Sequence, residues 1–314
     1  MPNSLWSLML VVFAVACGGG QMSNSSEKPA QDEHAVQIGK IKDAVVPFFR
    51  PMHIEPNDWL KTHPENGQTF DEYVATKPTL PTAERKTIYI QPFGTFTEEQ
   101  KRVLSLTADY MRAFYGLPVR LEREKPLNAV PAAMTRIQYP NNRQIKTAYF
   151  LDDLLPKMLP ADATAFLCFT SSDLFPDEQW NYVFGEATLE KRVGVYSLYR
   201  LREKEKGKAA FEKLLDRTLK IAMHETGHMF SMRHCTKYEC LMSGTNHLDE
   251  TDRRPLDVCP ECMAKIAWAL GYDPVDRYKE LAAFWAQEGR TDEQKQMLAK
   301  AAAIEAAIKA NQQK

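Results

Sequence analysis

Apolar positions along this chain change their spacing several times, and each change marks an element. Between 36 and 85 no period is sustained and prolines punctuate the run, with one short helix expected around DEYVA at 71–75. That stretch is expected to wrap a domain rather than form one. KTIYIQP at 86–92 alternates apolar and polar and predicts the first strand. TEEQKRVLSLTADYMRAFYG at 97–116 predicts a helix, with a Thr cap, an acidic first turn and a Gly stop. LPVRLE then predicts a second strand. QIKTAYFLDDLLPKML at 144–159 predicts an amphipathic helix covering the sheet, and ATAFLCFT at 163–170 a buried strand. SSDLFPDEQWNYVFGEA is expected as a long loop with some edge pairing, and RVGVYSLYRL at 192–201 as a further strand. A charged turn leads into a long helix from Ala209 to Met229, and three helical segments follow Cys262, the last over 291–312. Strand, helix, strand, helix, strand, strand, helix is the order of an α/β domain: a mixed twisted sheet packed on helices, with a smaller, mainly helical C-terminal part. There is no internal repeat.

The N-terminus belongs to a different class of segment. LWSLMLVVFAVA at 5–16 is too short to span a membrane as a mature helix and too apolar for a soluble start. Followed by Cys17 and three glycines, it reads as an export signal ending at a lipoprotein-type processing site with Cys17 as the lipid-bearing residue. A signal peptide without lipid is the plainer alternative. The polar stretch at 21–35 reads as disordered. The expected organisation is 1–17 signal, 18–40 flexible tether and 41–312 folded domain, the last divided into 86–234 and 235–312. The expected location is the bacterial cell envelope, held at the membrane by the lipid. With 314 residues, 44% of them apolar, the chain can bury a substantial core. Its 40 basic and 41 acidic residues leave a formal charge of -1, so no net field draws it to nucleic acid. A monomer is favoured.

The chemistry is concentrated in HETGHMFSMRHC at 224–235. Residues four apart on a helix share a face, so His224 and His228 can reach one metal ion. His234 returns six residues later. Three neutral imidazoles can hold one zinc and leave a position for water, and Glu225 stands where a carboxylate can take a proton as general base. The spacing predicts a zinc-dependent peptide hydrolase. The turn that brings His234 back calls for a left-handed residue, usually Gly in such motifs; here Ser231 must take it, at a cost of about 1 kcal/mol. His247 is a rival third ligand, while His34, His53 and His63 are expected to be ordinary surface or loop residues.

Cys168 lies in an apolar run and is expected to be an unreactive buried thiol. Cys235, Cys240, Cys259 and Cys262, the last two in CPEC, are two thiol pairs that can close on one structural zinc. Two disulfides are the alternative that export would permit. A redox role for CPEC lacks the strand that such motifs follow.

HETGHMFSMRHCTKYECLM followed by CPEC resembles the archaemetzincin family of zinc peptidases. The resemblance covers roughly 86–270. It implies a metzincin-like fold with the HExxH motif on a long active-site helix. It implies His224, His228 and His234 as catalytic zinc ligands, Glu225 as general base, and the four cysteines as ligands of a second, structural zinc. Met242 would be the methionine of the turn beneath the catalytic metal. The expected partner is a peptide or protein substrate, with aminopeptidase-like cleavage among the modes the resemblance implies. RVGVYSLYR is the candidate edge strand to hold it. The competing readings are a catalytically weak, zinc-stabilised peptide-binding protein and a zinc amidase acting on a non-protein amide.

Overall fold

A computed structural model describes residues 28–127, 130–138, 140–188, 191–203 and 206–313. The expected export signal and Cys17 lie outside the described residues. The chain enters as a helix, α1 (Lys28–Ile41), followed by a 3-10 stretch at Lys42–Phe48. The segment expected as tether is therefore helical from Lys28, because α1 has a core residue to contribute: Ile38 is buried. Two short helices follow, α2 (Trp59–Thr62) and α3 (Phe70–Ala75), the second closed by a Thr69–Glu72 capping box. As the irregular pattern predicts, this part wraps the domain.

The sheet-bearing part begins with β1 (Thr87–Phe93), helix α4 (Glu98–Tyr115) and β2 (Val119–Leu121), with α4 starting on a Thr97–Gln100 capping box and ending at left-handed Gly116. Next comes a hairpin, β3 (Thr135–Gln138) and β4 (Asn142–Lys146), and a π-helical turn at Tyr149–Leu154. β5 (Ala163–Thr170), β6 (Asp173–Phe175), β7 (Gly185–Thr188) and β8 (Val193–Ser197) complete the strands. The main sheet runs β2-β1-β5-β8-β7, and β3-β4-β6 form a second, smaller sheet. In the main sheet β1 pairs in parallel with β2 and β5, and β5 with β8, while β7 is antiparallel to β8. Burial on both faces explains why β5 and β8 read as nearly continuous apolar runs. Ile88, Ile90, Leu167 and Phe169 face the helices. Tyr89, Phe166, Cys168 and Val195 face Phe150, Leu151 and Ile145.

Two expectations are corrected here. The helix read over 144–159 is a strand and a π-helical turn. Gln144 donates to Asp173 Oδ2 at 2.9 Å and to Asn181 O at 2.8 Å while Ile145 turns into the core, and that alternation needs a strand. RVGVYSLYR is not the edge strand. β8 lies between β5 and β7 with all five residues buried, and the four-residue β7, from the expected loop, forms the edge.

Beneath the sheet runs α5 (Lys208–Met229), with α6 (Leu248–Arg253), α7 (Pro260–Leu270), α8 (Pro274–Gln287) and α9 (Thr291–Gln312) making the helical C-terminal part. α5 approaches the sheet closely at Gly194, where a Cβ would sit 2.9 Å from Met229 Cε. No helix among the described residues is long and apolar enough to cross a membrane.

Candidate active site

α5 carries the first three residues of the motif along one face, and the chain then has to reverse. It does so at Ser231, whose φ of 65° is left-handed as the spacing predicts. A side chain there costs roughly 1–2 kcal/mol. Ser231 recovers part of that cost in a way glycine cannot, because its Oγ accepts the backbone N–H of Thr79 at 2.9 Å. Tyr73 Oη, from α3, donates to Phe230 O at 2.7 Å and fixes the end of the helix.

The reversal brings His234 back to His224 and His228, and one ligating nitrogen from each lies within 4.8 Å of the others. The nitrogens are sorted by their hydrogen bonds. His224 Nδ1 meets Leu241 O at 2.9 Å, His228 Nδ1 meets Met232 O at 2.6 Å, and His234 Nδ1 meets Glu65 Oε1 at 2.7 Å. An oxygen partner at each Nδ1 leaves Nε2 with its lone pair free, the tautomer a metal-ligating imidazole needs. The Nε2 atoms of His224 and His228 are 3.0 Å apart, close to the roughly 3.3 Å edge of a tetrahedron with Zn–N of about 2.05 Å. Burial holds His224 well below the usual imidazole range and His228 down to about 4, so both stay neutral at pH 7. The donor set fits zinc.

These residues form the floor of a cleft of about 1150 Å³. One wall is the loop 179–184 running into β7, and the other is the 243–246 loop with α6. Glu225 lies on the floor. Its enclosure there pushes the carboxyl up to about 7, with His234 opposing and Glu186 of β7 adding to the rise. Glu225 is thus beside the histidines and facing the cleft, in reach of what binds there.

Cys235, Cys240, Cys259 and Cys262 are buried free thiols whose sulfurs lie within 4.8 Å of one another. Cys235 and Cys259 are 3.5 Å apart, against about 3.8 Å for sulfurs on one tetrahedral zinc with Zn–S of about 2.3 Å. Cys240 Sγ also accepts backbone N–H groups from Cys259 at 3.2 Å and Met242 at 3.4 Å, the partners a thiolate needs. This set also fits zinc. No disulfide joins the four in this structure. The two clusters are joined through the chain: His234 and Cys235 are consecutive, and Cys235 N donates to Met242 O at 2.7 Å. Met242 is fully buried under α5, and a Cβ on Gly227 would stand 2.6 Å from its Sδ. Cys168 is buried in the sheet, far up in its pKa because of burial.

His247 does not join the three histidines. It caps α6, with Nδ1 accepting from Glu250 N at 3.2 Å, and its neighbours are Asp58 and Glu250. That trio is already satisfied as an ion-pair network. Arg253 reaches Asp58 at 2.7 Å, and Arg254 reaches Glu250 at 2.9 Å. Its effect is to clamp the wrapping segment at Trp59. Of the histidines expected to be ordinary, His53 is in an exposed loop, His63 stacks on Trp59 at 4.1 Å, and His34 lies half-buried in α1.

Glu65 and Trp59 are the residues sequence reasoning missed. Glu65 orients His234 and is itself held by Trp59 Nε1 at 2.7 Å. Partial burial opposes ionisation of Glu65, but the bonds from His234 and Trp59 keep its pKa below the usual carboxylate value. Nothing in the local pattern at HPENG marks it, since its partner is far along the chain.

Comparison with known proteins identifies the family. The pattern of Peptidase family M54 matches residues 116–268. Archaemetzincin-2 of Pongo abelii is 34% identical over 277 residues, covering 78% of this chain and 76% of that protein. Archaemetzincin-2 of Homo sapiens is 34% identical over 282 residues, with the same shares of 78% and 76%. The crystal structure of archaemetzincin from Methanopyrus kandleri superposes with a TM-score of 0.48 at 24% identity, covering 61% of this chain and 99% of that one. With identity at this level over three quarters of the relatives' length, the chain belongs to the archaemetzincin family of zinc metallopeptidases.

Proposed function

We propose that this protein hydrolyses peptide bonds at a zinc ion held by His224, His228 and His234, with Glu225 as general base, and that the four cysteines hold a second, structural zinc. The observation that carries the reading is the sorting of the three imidazoles: each Nδ1 meets an oxygen, and the Nε2 atoms converge beside Glu225 at the floor of one cleft. Zinc, when bound, supplies Lewis acidity that makes a water a nucleophile near neutral pH and polarises a carbonyl. The protein's own part is proton traffic and positioning. Glu225 takes the proton released as the water attacks and hands it to the departing amine. Glu65, Leu241 and Met232 keep the imidazole rings from turning.

The substrate's backbone has a natural partner in β7. This strand pairs with β8 on one side only, so its other edge can add an extended peptide by main-chain hydrogen bonds. Glu186 on that strand lines the cleft and can meet a free ammonium group, which supports aminopeptidase-like cleavage. Ser231 gives no support to a decayed catalytic geometry, since its left-handed turn is made and anchored by Thr79.

The direct test is Glu225→Gln. It is expected to abolish cleavage of a peptide library while metal content and the thermal melt stay as in the wild type. Equal cleavage by the two proteins would end the general-base assignment. We propose further that Cys17 carries a lipid that holds the enzyme at the cell envelope. Cys17→Ser should then move the protein from the membrane fraction to the soluble one, and an unchanged distribution would refute the anchor.

A further inference from the structure

The two walls of the cleft differ in charge. Towards β7 the charged group is the carboxylate Glu186, with Glu225 on the floor between; towards α6 the charged groups are the cations Lys220 and Arg254, and no carboxylate among the described residues lines that wall. The acids nearby are engaged elsewhere. Glu250 pairs with Arg254 at 2.9 Å, Asp252 with Arg217 at 2.7 Å, and Asp216, one turn before Lys220, with Arg290 at 3.0 Å. Arg254 is also pinned by Glu239 at 3.6 Å, so it has little freedom to meet a ligand.

Lys220 is different. Among the described residues it has no ion-pair partner. Its ammonium donates to two backbone carbonyls at the end of α6, Thr251 O and Asp252 O, each at 3.0 Å. An ammonium has three N–H donors, so one remains for the cleft. Burial pulls its pKa down, more than Asp216 and Asp252 restore it, as for a cation short of counter-charge. On α5 it stands four residues before His224, about 6 Å along the helix axis. That is within one or two residues of a peptide bond lying over the histidines.

We propose that Lys220 is a specificity-determining residue that receives a carboxylate of the substrate close to the cleaved bond. The carboxylate is either the side chain of an acidic residue or the free C-terminus of a short peptide. The two α6 carbonyls hold the ammonium in place, and the substrate carboxylate supplies the counter-charge that the wall lacks. The inference rests on the peptidase reading above.

The test is a set of internally quenched peptides with Glu, Gln or Lys scanned through each position, every peptide made both as C-terminal acid and as amide. Wild type should cleave the Glu form, or the acid form, faster by about tenfold or more in kcat/KM, as for a charge pair in a partly desolvated site. Lys220→Met should bring that ratio close to one, and Lys220→Glu should reverse it in favour of Lys peptides. Lys220→Gln, which keeps a donor for the α6 carbonyls, guards against a folding artefact and should also lose the preference. A preference confined to the acid-versus-amide arm identifies the free C-terminus as the ligand; one in the Glu-versus-Gln arm identifies a side chain. A wild-type ratio of one in both arms, or a ratio unchanged in Lys220→Met, overturns the proposal while leaving the peptidase reading intact. The same peptides are titrated calorimetrically into zinc-loaded Glu225→Gln protein. If nothing is cleaved by wild type the peptidase reading fails, and the Glu-to-Gln ratio of Kd still decides whether Lys220 selects a carboxylate.

Discussion

Glu65 offers a sharp test of how the site is held together, because it lies far outside the motif and would act on the proposed metal only through another residue. Its Oε1 accepts from His234 Nδ1 and from Trp59 Nε1, both at 2.7 Å. Replacing it by Ala removes the one oxygen that fixes the His234 ring and its tautomer. A hydrogen bond to a charged group contributes about 1.5–3 kcal/mol, equivalent to roughly 10–100-fold in a binding constant. Outer-shell partners of metal-bound histidines carry losses of about the same size. Glu65→Ala should therefore weaken zinc at the histidines by about 10–100-fold, and Glu65→Gln, which keeps an acceptor oxygen but not the charge, by less. The assay is a competition titration against a fluorescent zinc chelator at pH 7.5. The zinc proposed at the four cysteines would provide an internal reference, since Glu65 does not touch them, and its step in the titration should not move. A Glu65→Ala curve that superimposes on wild type in both steps would refute the claim that this bond orients the third ligand.

Three further outcomes follow from the packing around the two clusters. Met242, fully buried beneath Gly227, should cost about 2–5 kcal/mol on truncation to Ala and under about 1.5 kcal/mol on replacement by Leu, read from denaturant melts of the zinc-loaded protein; equal costs would mean its volume does not matter. Cys259→Ser should lower the thermal midpoint more than His228→Ala does, because a metal in the core contributes its binding energy to folding; the reverse order would contradict a structural role for the cysteines. Asp257 is buried between Lys300 at 2.7 Å and Arg277 at 3.0 Å, and although burial opposes its ionisation, those cations hold its pKa below the usual 3.8. Its contribution to stability is thus present above pH about 4 and lost as the pH falls through the lower folded-state value. Asp257→Asn, which strands two buried cations, should cost about 3–5 kcal/mol at pH 7 and flatten the acid limb of the stability profile; an unchanged limb would show that Asp257 does not drive it.

How much of this could be read from the residues depended on the range of the interaction. α4 was legible to its ends because Thr97, Gln100 and Gly116 are local signals, and α5 because the motif itself demands a helix and a turn. The histidine and cysteine sets were legible because ligand spacing is set by coordination geometry. The stretch 144–159 reads as a helix because its apolar spacing suits one, and only the buried Gln144–Asp173 contact, from a strand far along the chain, decides for pairing. The edge strand was misassigned for a related reason. β8 has the better strand composition, but position in a sheet depends on which neighbours arrive, and β7 is short and weakly apolar. Glu65, Trp59 and Lys220 carried no local mark, since their roles exist only once the wrapping segment and α6 close over the motif.

The central claim is that three imidazole nitrogens share one zinc beside Glu225. Anomalous scattering recorded at the zinc edge, from crystals of the metal-loaded protein, tests it most directly. The account predicts two peaks: one among the Nε2 atoms of His224, His228 and His234, and one enclosed by the sulfurs of Cys235, Cys240, Cys259 and Cys262. A fully loaded crystal with density at the cysteines alone, and the His234 ring turned from the other two, would contradict it.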